Sequence, residues 1–422
     1  MKKFFFLTVL VTLLVTTLSA QQFDLSAEIR PRYENQHGVK SLLPTNADGS
    51  NFVSQRTRLN FNFTQDKIKL GVSLQNVRVW GDVSTLASDD KSTQLHEAWA
   101  EALLSDVFSL KFGRQEIVYD DSRIFGNVGW AQQARSHDAL LAKFKISENS
   151  KLDLGFALNS DSQAALDNLY SNVAGYKTFQ YAWYNSKLND NFGLSLLALN
   201  NGIEFLDGAD QKVDYTQTLG GRLTYGKNKI AADAAAYLQS GENSNNDVSA
   251  SYLTANLKYK ASNEFTVGVG AEYLSGSDID FATNTNLDSK NKSFSPLYGT
   301  NHKFNGWMDY FYVGNHGANV GLVDLNAVVT YKKDKFSATL MPHFFSSAAD
   351  IYIGSVKKDN NLGAEIDLNL GYKISNDITV NAGYSLLFAN DSMELIKGGD
   401  KDENNSWAWV MFTFKPKLFS SK

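Results

Sequence analysis

The sequence predicts an all-β fold: a transmembrane antiparallel up-and-down β-barrel of roughly eighteen strands, with roughly sixteen as the neighbouring even count. Three observations predict it. Long and short connections alternate from end to end, the segments between them alternate apolar with polar residues, and aromatic residues gather where those segments meet the short turns. The short connections are tight and polar: Gln65-Asp66-Lys67, Ser105-Asp106, Glu148-Asn149-Ser150, Asn189-Asp190, Lys227-Asn228, Ser262-Asn263, Lys333-Asp334 and Asn376-Asp377. Between each and the next lie one alternating segment, a longer irregular stretch and a second alternating segment. A chain that starts and ends on the short-turn side needs an even number of strands, with short periplasmic turns at one rim and long extracellular loops at the other.

Met1 to Ala20 reads as a secretory signal, with Lys2 and Lys3 ahead of an apolar run from Phe4 to Val15 and a small-residue end at Ser19-Ala20. The barrel is expected to fill 21–422. No later stretch approaches the roughly twenty apolar residues an inner-membrane helix needs, so export continues past that membrane. The absence of cysteine suits passage through an oxidising compartment without disulfides. A net charge of −5 gives no sign of the basic surface that nucleic-acid binding requires. All nine arginines precede Thr224, and eight of them lie between Arg30 and Arg135, whereas lysine is spread throughout.

The strands follow in order. Phe23, Leu25, Ala27, Ile29, Pro31 and Tyr33 form one face of the first, and Asp24, Ser26, Glu28, Arg30, Arg32 and Glu34 the other. In the second, Leu59, Phe61 and Phe63 oppose Arg56, Arg58, Asn60 and Asn62. Leu152 to Leu158, Phe265 to Tyr273, Leu362 to Gly371 and Ile378 to Phe388 repeat the pattern. A lipid-facing wall around a wet lumen reads this way. A soluble sandwich alternates too, so the aromatic rim decides. Phe63, Phe144, Tyr225, Tyr259, Tyr331 and Tyr372 approach the short turns, and Phe108, Phe192, Phe265 and Phe336 leave them. A barrel this wide leaves an aqueous channel. Alternation breaks near Asn76 and at Gly113-Arg114-Gln115, where bulges are expected. The last strand, Trp407 to Phe414, runs on through Lys415-Pro416, so Phe414 or Phe419 serves as the closing aromatic.

The stretch from Phe108 to Glu116, containing Gly113-Arg114-Gln115, is followed by Asp121, Arg123, Gly126, Trp130 and Arg135-Ser136-His137-Asp138. This set resembles the signature of the alginate-export family of outer-membrane porins. A looser match runs through Phe294, Pro296, Tyr298, Gly299, His302, Phe304, Gly306 and Asp309. The resemblance implies a monomeric barrel whose electropositive lumen passes anionic polysaccharide through the outer membrane, in contact with lipid, lipopolysaccharide and the insertion machinery. The alternative is a nutrient-uptake porin for small anionic or neutral solutes.

Strand phase puts Arg30, Arg32, Arg56, Arg58 and Arg222 on the lumen side. Arg114, Arg123 and Arg135 sit at or beside a loop that the family fold tucks inward, and Arg78 follows the suspected bulge. Together they form the candidate electropositive lining, with Glu28, Glu34, Glu97, Glu101, Glu116, Asp120 and Asp121 as acidic partners. Arginine is always ionised and meets a carboxylate with two parallel hydrogen bonds, which suits a polyuronate path. The alternative is that Arg and Glu pair across the wall and stiffen it without touching substrate.

The longest connection, about 275–320, carries Phe281, Phe294, Tyr298, Phe304, Trp307, Tyr310, Phe311 and Tyr312. Its rings argue against disorder and point to an inward gate, a sugar-stacking surface or a packed lid. Trp130, Asp138, His302, Trp307 and Asp309 are the candidate gate or sugar contacts. Neither His302 with Asp309 nor His137 with Asp138 has metal-ligand spacing, so no metal or cofactor is expected. No serine stands in a nucleophile context beside the six scattered histidines, so no catalytic residue is assigned.

Overall fold

The computed structural model describes residues 21–163, 169–170, 175–311 and 319–421. The expected signal, 1–20, and Tyr312 lie outside the described residues. Eighteen antiparallel strands run in sequence order around a closed barrel. They are β1 (Gln22–His37), β2 (Ser50–Gln65), β3 (Ile68–Val79), β4 (Thr93–Ser105), β5 (Phe108–Gln115), β6 (His137–Ser147), β7 (Ser150–Leu158), β8 (Thr178–Lys187) and β9 (Phe192–Asp207). Then come β10 (Asp210–Lys227), β11 (Ile230–Asn243), β12 (Asn246–Lys260), β13 (Phe265–Leu274), β14 (Leu322–Lys333), β15 (Phe336–Ser346), β16 (Asn361–Lys373), β17 (Ile378–Ala389) and β18 (Ser406–Phe414).

All eight predicted tight turns join consecutive strands. Closure falls between β1 and β18, where Ile29 pairs with Phe414. Pro416 interrupts the last strand, but its carbonyl accepts the Ala27 amide at 3.1 Å and pairing resumes over Lys417–Ser420, with Phe419 opposite Leu25. Both candidate closing aromatics are therefore used.

Exposure fixes which face looks where. Leu70, Val72, Leu74, Phe112, Phe156, Leu196, Leu253 and Val269 are exposed on the outer wall, while Arg56, Ser73, Glu101, Glu272, Asp324, Glu365 and Ser385 are buried inside it. An apolar outside around a polar inside is stable only with hydrocarbon around it. The predicted rim forms a belt of cross-strand rings: Phe108 on Phe144 at 4.7 Å, Phe192 on Tyr225 at 4.9 Å and Phe265 on Tyr331 at 4.8 Å.

Three expectations need correction. Two of the connections on the long-loop side are tight hairpins: β9 turns into β10 at Gly208, with φ 63°, and β11 into β12 at Ser244-Asn245, with φ 51° and 64°. Left-handed backbone of this kind matches the twist of paired strands. The bulge expected near Asn76 lies across the ladder, where pairing shifts between Ser73 and Leu74 and leaves His96 of β4 as the extra residue. At Gly113 there is no bulge. Its neighbours stay in step on both sides, and a φ of 109° lets the chain pass close to the Ala98 carbonyl.

Nor is the lumen an empty cylinder. The 116–136 loop and the described part of the 275–321 loop fold inward, and Phe125, Tyr176, Phe179, Tyr181 and Tyr298 pack together within its long-loop half. A small sheet made from Ile279–Asp280, Thr285–Asn286, Ile351–Ile353 and Val356–Lys357 ties the 275–321 loop to the 347–360 loop. An α-helix, α1 (Asp391–Lys397), lies in the connection between β17 and β18.

Candidate functional site

Cross-strand register brings four of the predicted arginines onto one patch of inner wall. Arg30 of β1 stands opposite Arg56 of β2, and Glu28 opposite Arg58. Unit charges about 4 Å apart repel by roughly 4 kcal/mol at the effective dielectric of such a site, so each guanidinium needs compensation. Arg56 receives it from Glu28 at 2.5–2.8 Å, and Arg32 from Glu34 at 2.8 Å. Arg58 bonds Gln75 at 2.6 Å and reaches Glu116 at 3.7 Å. Arg30 differs. Its donors go to neutral oxygens: the Gly129 carbonyl at 2.8 Å, the Trp130 carbonyl at 3.0 Å and Gln132 Oε1 at 2.9 Å.

Those neutral acceptors belong to the 116–136 loop, so the arginine patch also anchors that loop. Arg32 donates to the Trp130 carbonyl at 2.9 Å, and its guanidinium lies 4.1 Å from the Trp130 ring centre. Trp130 stacks on His302 at 4.6 Å and meets Trp409 edge-on at 4.8 Å. His302 in turn holds Asp309 at 2.8 Å through Nδ1. Trp130, His302 and Asp309 are thus one unit formed from two loops. Trp307 is half-buried beside it, its backbone N–H donating to Asp367 at 3.2 Å.

Arg123 joins the loops to the far wall. It is 2% exposed, pairs with Glu272 of β13 at 3.0 Å, and donates to Asn301 at 3.2 Å and Asn305 at 2.9 Å. Arg135 donates to the Gly299 carbonyl at 3.1 Å. Arg222 bridges Asp121 of the loop and Asp233 of β11. Below this junction lies a cavity of about 260 Å³, lined by Asp121, Arg222, Lys258, Glu272, Lys303 and His343 among others. Glu97 accepts the Glu116 amide at 3.1 Å, and Glu101 pairs with Lys143 at 3.0 Å rather than with an arginine. Asp120 accepts the Trp183 indole N–H at 3.1 Å.

Two arginines and one aspartate fall outside the lumen. Arg78 is in phase with Leu70, Val72 and Leu74 on the outer wall, where it pairs with Asp90. Arg114 is in phase with exposed Phe112 and pairs with Asp138 of β6 at 2.7 Å. All three lie toward the long-loop ends of their strands. The outer face need be apolar only across the hydrocarbon band, and beyond it a charge meets headgroups and water. Sequence reasoning missed the acidic far wall: Glu272, Asp324, Glu365 and Asp367, with His343 held by Asp324 at 2.9 Å. Its signal was present, since these residues recur in the polar phase of β13 to β16. Trp407 and Trp409, whose rings pack on Trp130, were also missed.

An apolar outer wall, aromatic belt and polar lumen define an outer-membrane β-barrel of the porin class. A family model for alginate export matches residues 21–408, and the chain belongs to the alginate-export family. Among curated proteins none matches it in sequence. Similar solved structures include three from Pseudomonas aeruginosa. OpdL has a TM-score of 0.64 at 12% identity, covering 94% of this chain and 99% of its own. OpdO has 0.62 at 14%, covering 94% and 98%, and the outer membrane protein opdK has 0.62 at 11%, covering 96% and 100%. These likenesses concern the fold.

Proposed function

We propose that this chain is an outer-membrane channel for anionic solutes, with anionic polysaccharide as the substrate class its family favours. The observation that carries the reading is the charge balance at Arg30, Arg32, Arg56 and Arg58. The ion pairs of these four go to Glu28, Glu34 and Glu116, and Arg30 is held by neutral oxygens. Nη1 of Arg56 and Nη2 of Arg58 are buried without a hydrogen-bond partner among the described residues. Four guanidiniums set against three paired carboxylates leave a positive field on this wall, which favours an anion in the lumen over a cation. The same groups hold the 116–136 loop, which makes anchoring and selectivity two roles of one patch.

Nutrient uptake is the second reading, and the two differ in solute size. Liposomes carrying the purified protein are the test. The channel reading predicts faster swelling in glucuronate than in glucose, with short oligouronates also entering. Equal rates, or faster entry of glucose, overturn anion preference. Entry of the monomer with exclusion of every oligomer assigns the pore to small solutes.

A further inference from the structure

The lysines that look evenly scattered along the chain are unevenly placed in space. β12, β14, β16 and β18 all run toward the short-turn rim, and each ends in lysine: Lys258 and Lys260, Lys332 and Lys333, Lys373, and Lys415 just past the strand. Register fixes which of them face the lumen. Lys258 and Lys260 continue the inward series Tyr252, Thr254 and Asn256, and Lys258 lines the cavity below the loops. Lys332 follows Asp324, Asn326 and Val328, and Lys373 follows Glu365 and Asp367. Lys415 extends the inward series Trp409, Met411 and Thr413.

All five inward lysines are exposed, and none has an ion-pair partner among the described residues. Elsewhere on this rim four lysines are neutralised. Lys143 pairs with Glu101 at 3.0 Å, Lys145 with Glu148 at 2.6 Å, Lys187 with Asp190 at 2.7 Å and Lys417 with Asp24 at 2.9 Å. At the opposite, long-loop end, Arg78, Arg114, Lys212, Lys290 and Lys357 each face an aspartate. Positive charge without an ion-pair partner is therefore gathered at one mouth, most densely where β12, β14, β16 and β18 end. Successive even-numbered strands place these ammonium groups about 10 Å apart, two strand spacings.

We propose that this lysine crescent is the entry station for a polyanionic chain arriving from the short-turn, periplasmic side, which captures its carboxylates before they reach the arginine patch. The inference rests on the anion-channel reading and adds a direction to it. Lysine suits capture: it is a strongly hydrated point charge on a flexible stem, so it attracts without fixing an orientation. A mouth of net positive charge raises the arrival rate of a polyanion by roughly 10 to 1,000-fold, and salt removes the effect.

The test is block of single-channel current by oligogalacturonate added to one side of a bilayer in which all channels share an orientation. Block events from the short-turn side should be at least about tenfold more frequent than from the long-loop side at low salt, and the difference should vanish at high salt. The combined variant Lys258→Gln, Lys260→Gln, Lys332→Gln and Lys373→Gln should make the two sides equal, its salt conductance confirming a folded pore. Equal block from both sides of the unaltered channel, or undiminished asymmetry in the variant, overturns the crescent. A reversal potential showing cation preference instead overturns the anion channel itself.

Discussion

Arg123 shows how much one buried side chain can hold. It reaches Glu272 on the wall and Asn301 and Asn305 on the second loop, and it packs 4.6 Å from the Phe304 ring centre. Arg123→Ala leaves Glu272 buried without its cation, which should cost about 3–5 kcal/mol in denaturant unfolding from detergent. Arg78→Ala, whose pair with Asp90 is part-exposed, should cost no more than about 1 kcal/mol. Comparable losses would contradict the assignment of the two to inner and outer wall. Lys397 of α1 supplies a pH dependence. Burial pushes its ammonium down from 10.5 to about 7, with the Phe311 ring 5.5 Å away. A lysine lowered in the folded state favours the neutral form there. The cost of charging it is therefore full below about 7 and fades as pH rises toward the unfolded value. Hydrogen exchange of 391–397, corrected for intrinsic rate, should show more protection near pH 9 than near pH 6, and Lys397→Met should abolish the difference. Equal protection would contradict it. The inward arginines of β1 and β2 were legible because phase is a local property. Arg123's partners were not, since nothing local marks contact with a strand so distant in sequence.

At the scale of elements, strands and tight turns were legible and the behaviour of loops was not. Alternation is imposed residue by residue by hydrocarbon on one side and water on the other, and it fades where both sides are wet. The upper parts of β9 to β12 therefore read as irregular, although Asp207-Gly208 carried the turn signal. The ring-rich 275–321 loop had three readings open, and its described part packs inward: Tyr310 donates to the Gly38 carbonyl, and Met308 N–H to Glu365 at 2.8 Å. Limited trypsin digestion tests this placement. Lys290 pairs with Asp247 at the surface, whereas Lys303 lines the cavity inside the barrel and bonds the Asp121 carbonyl at 2.8 Å. Cleavage should occur after Lys290 and spare Lys303. Early cleavage after Lys303 would place the segment outside the barrel.

Across the whole molecule, charge is sorted by position. Arginine occupies the β1–β2 wall, carboxylates the β13–β16 wall, and uncompensated lysine the short-turn mouth. The two in-folded loops span the walls, carrying Trp130 to the arginines and Met308 to the acids. The composition showed the arginine enrichment, because those residues cluster in sequence as well as in space. It could not show the acidic wall or the lysine crescent, because each draws one or two residues from each of several strands and becomes a patch only when the sheet closes. The central claim is that the arginine patch makes the pore prefer anions. Single-channel reversal potential in a salt gradient tests it most directly. Anion preference is expected, reduced when Arg30, Arg32, Arg56 and Arg58 are replaced by Ala and retained when they are replaced by Lys. Cation preference, or a reversal potential unmoved by the four Ala replacements, would contradict it.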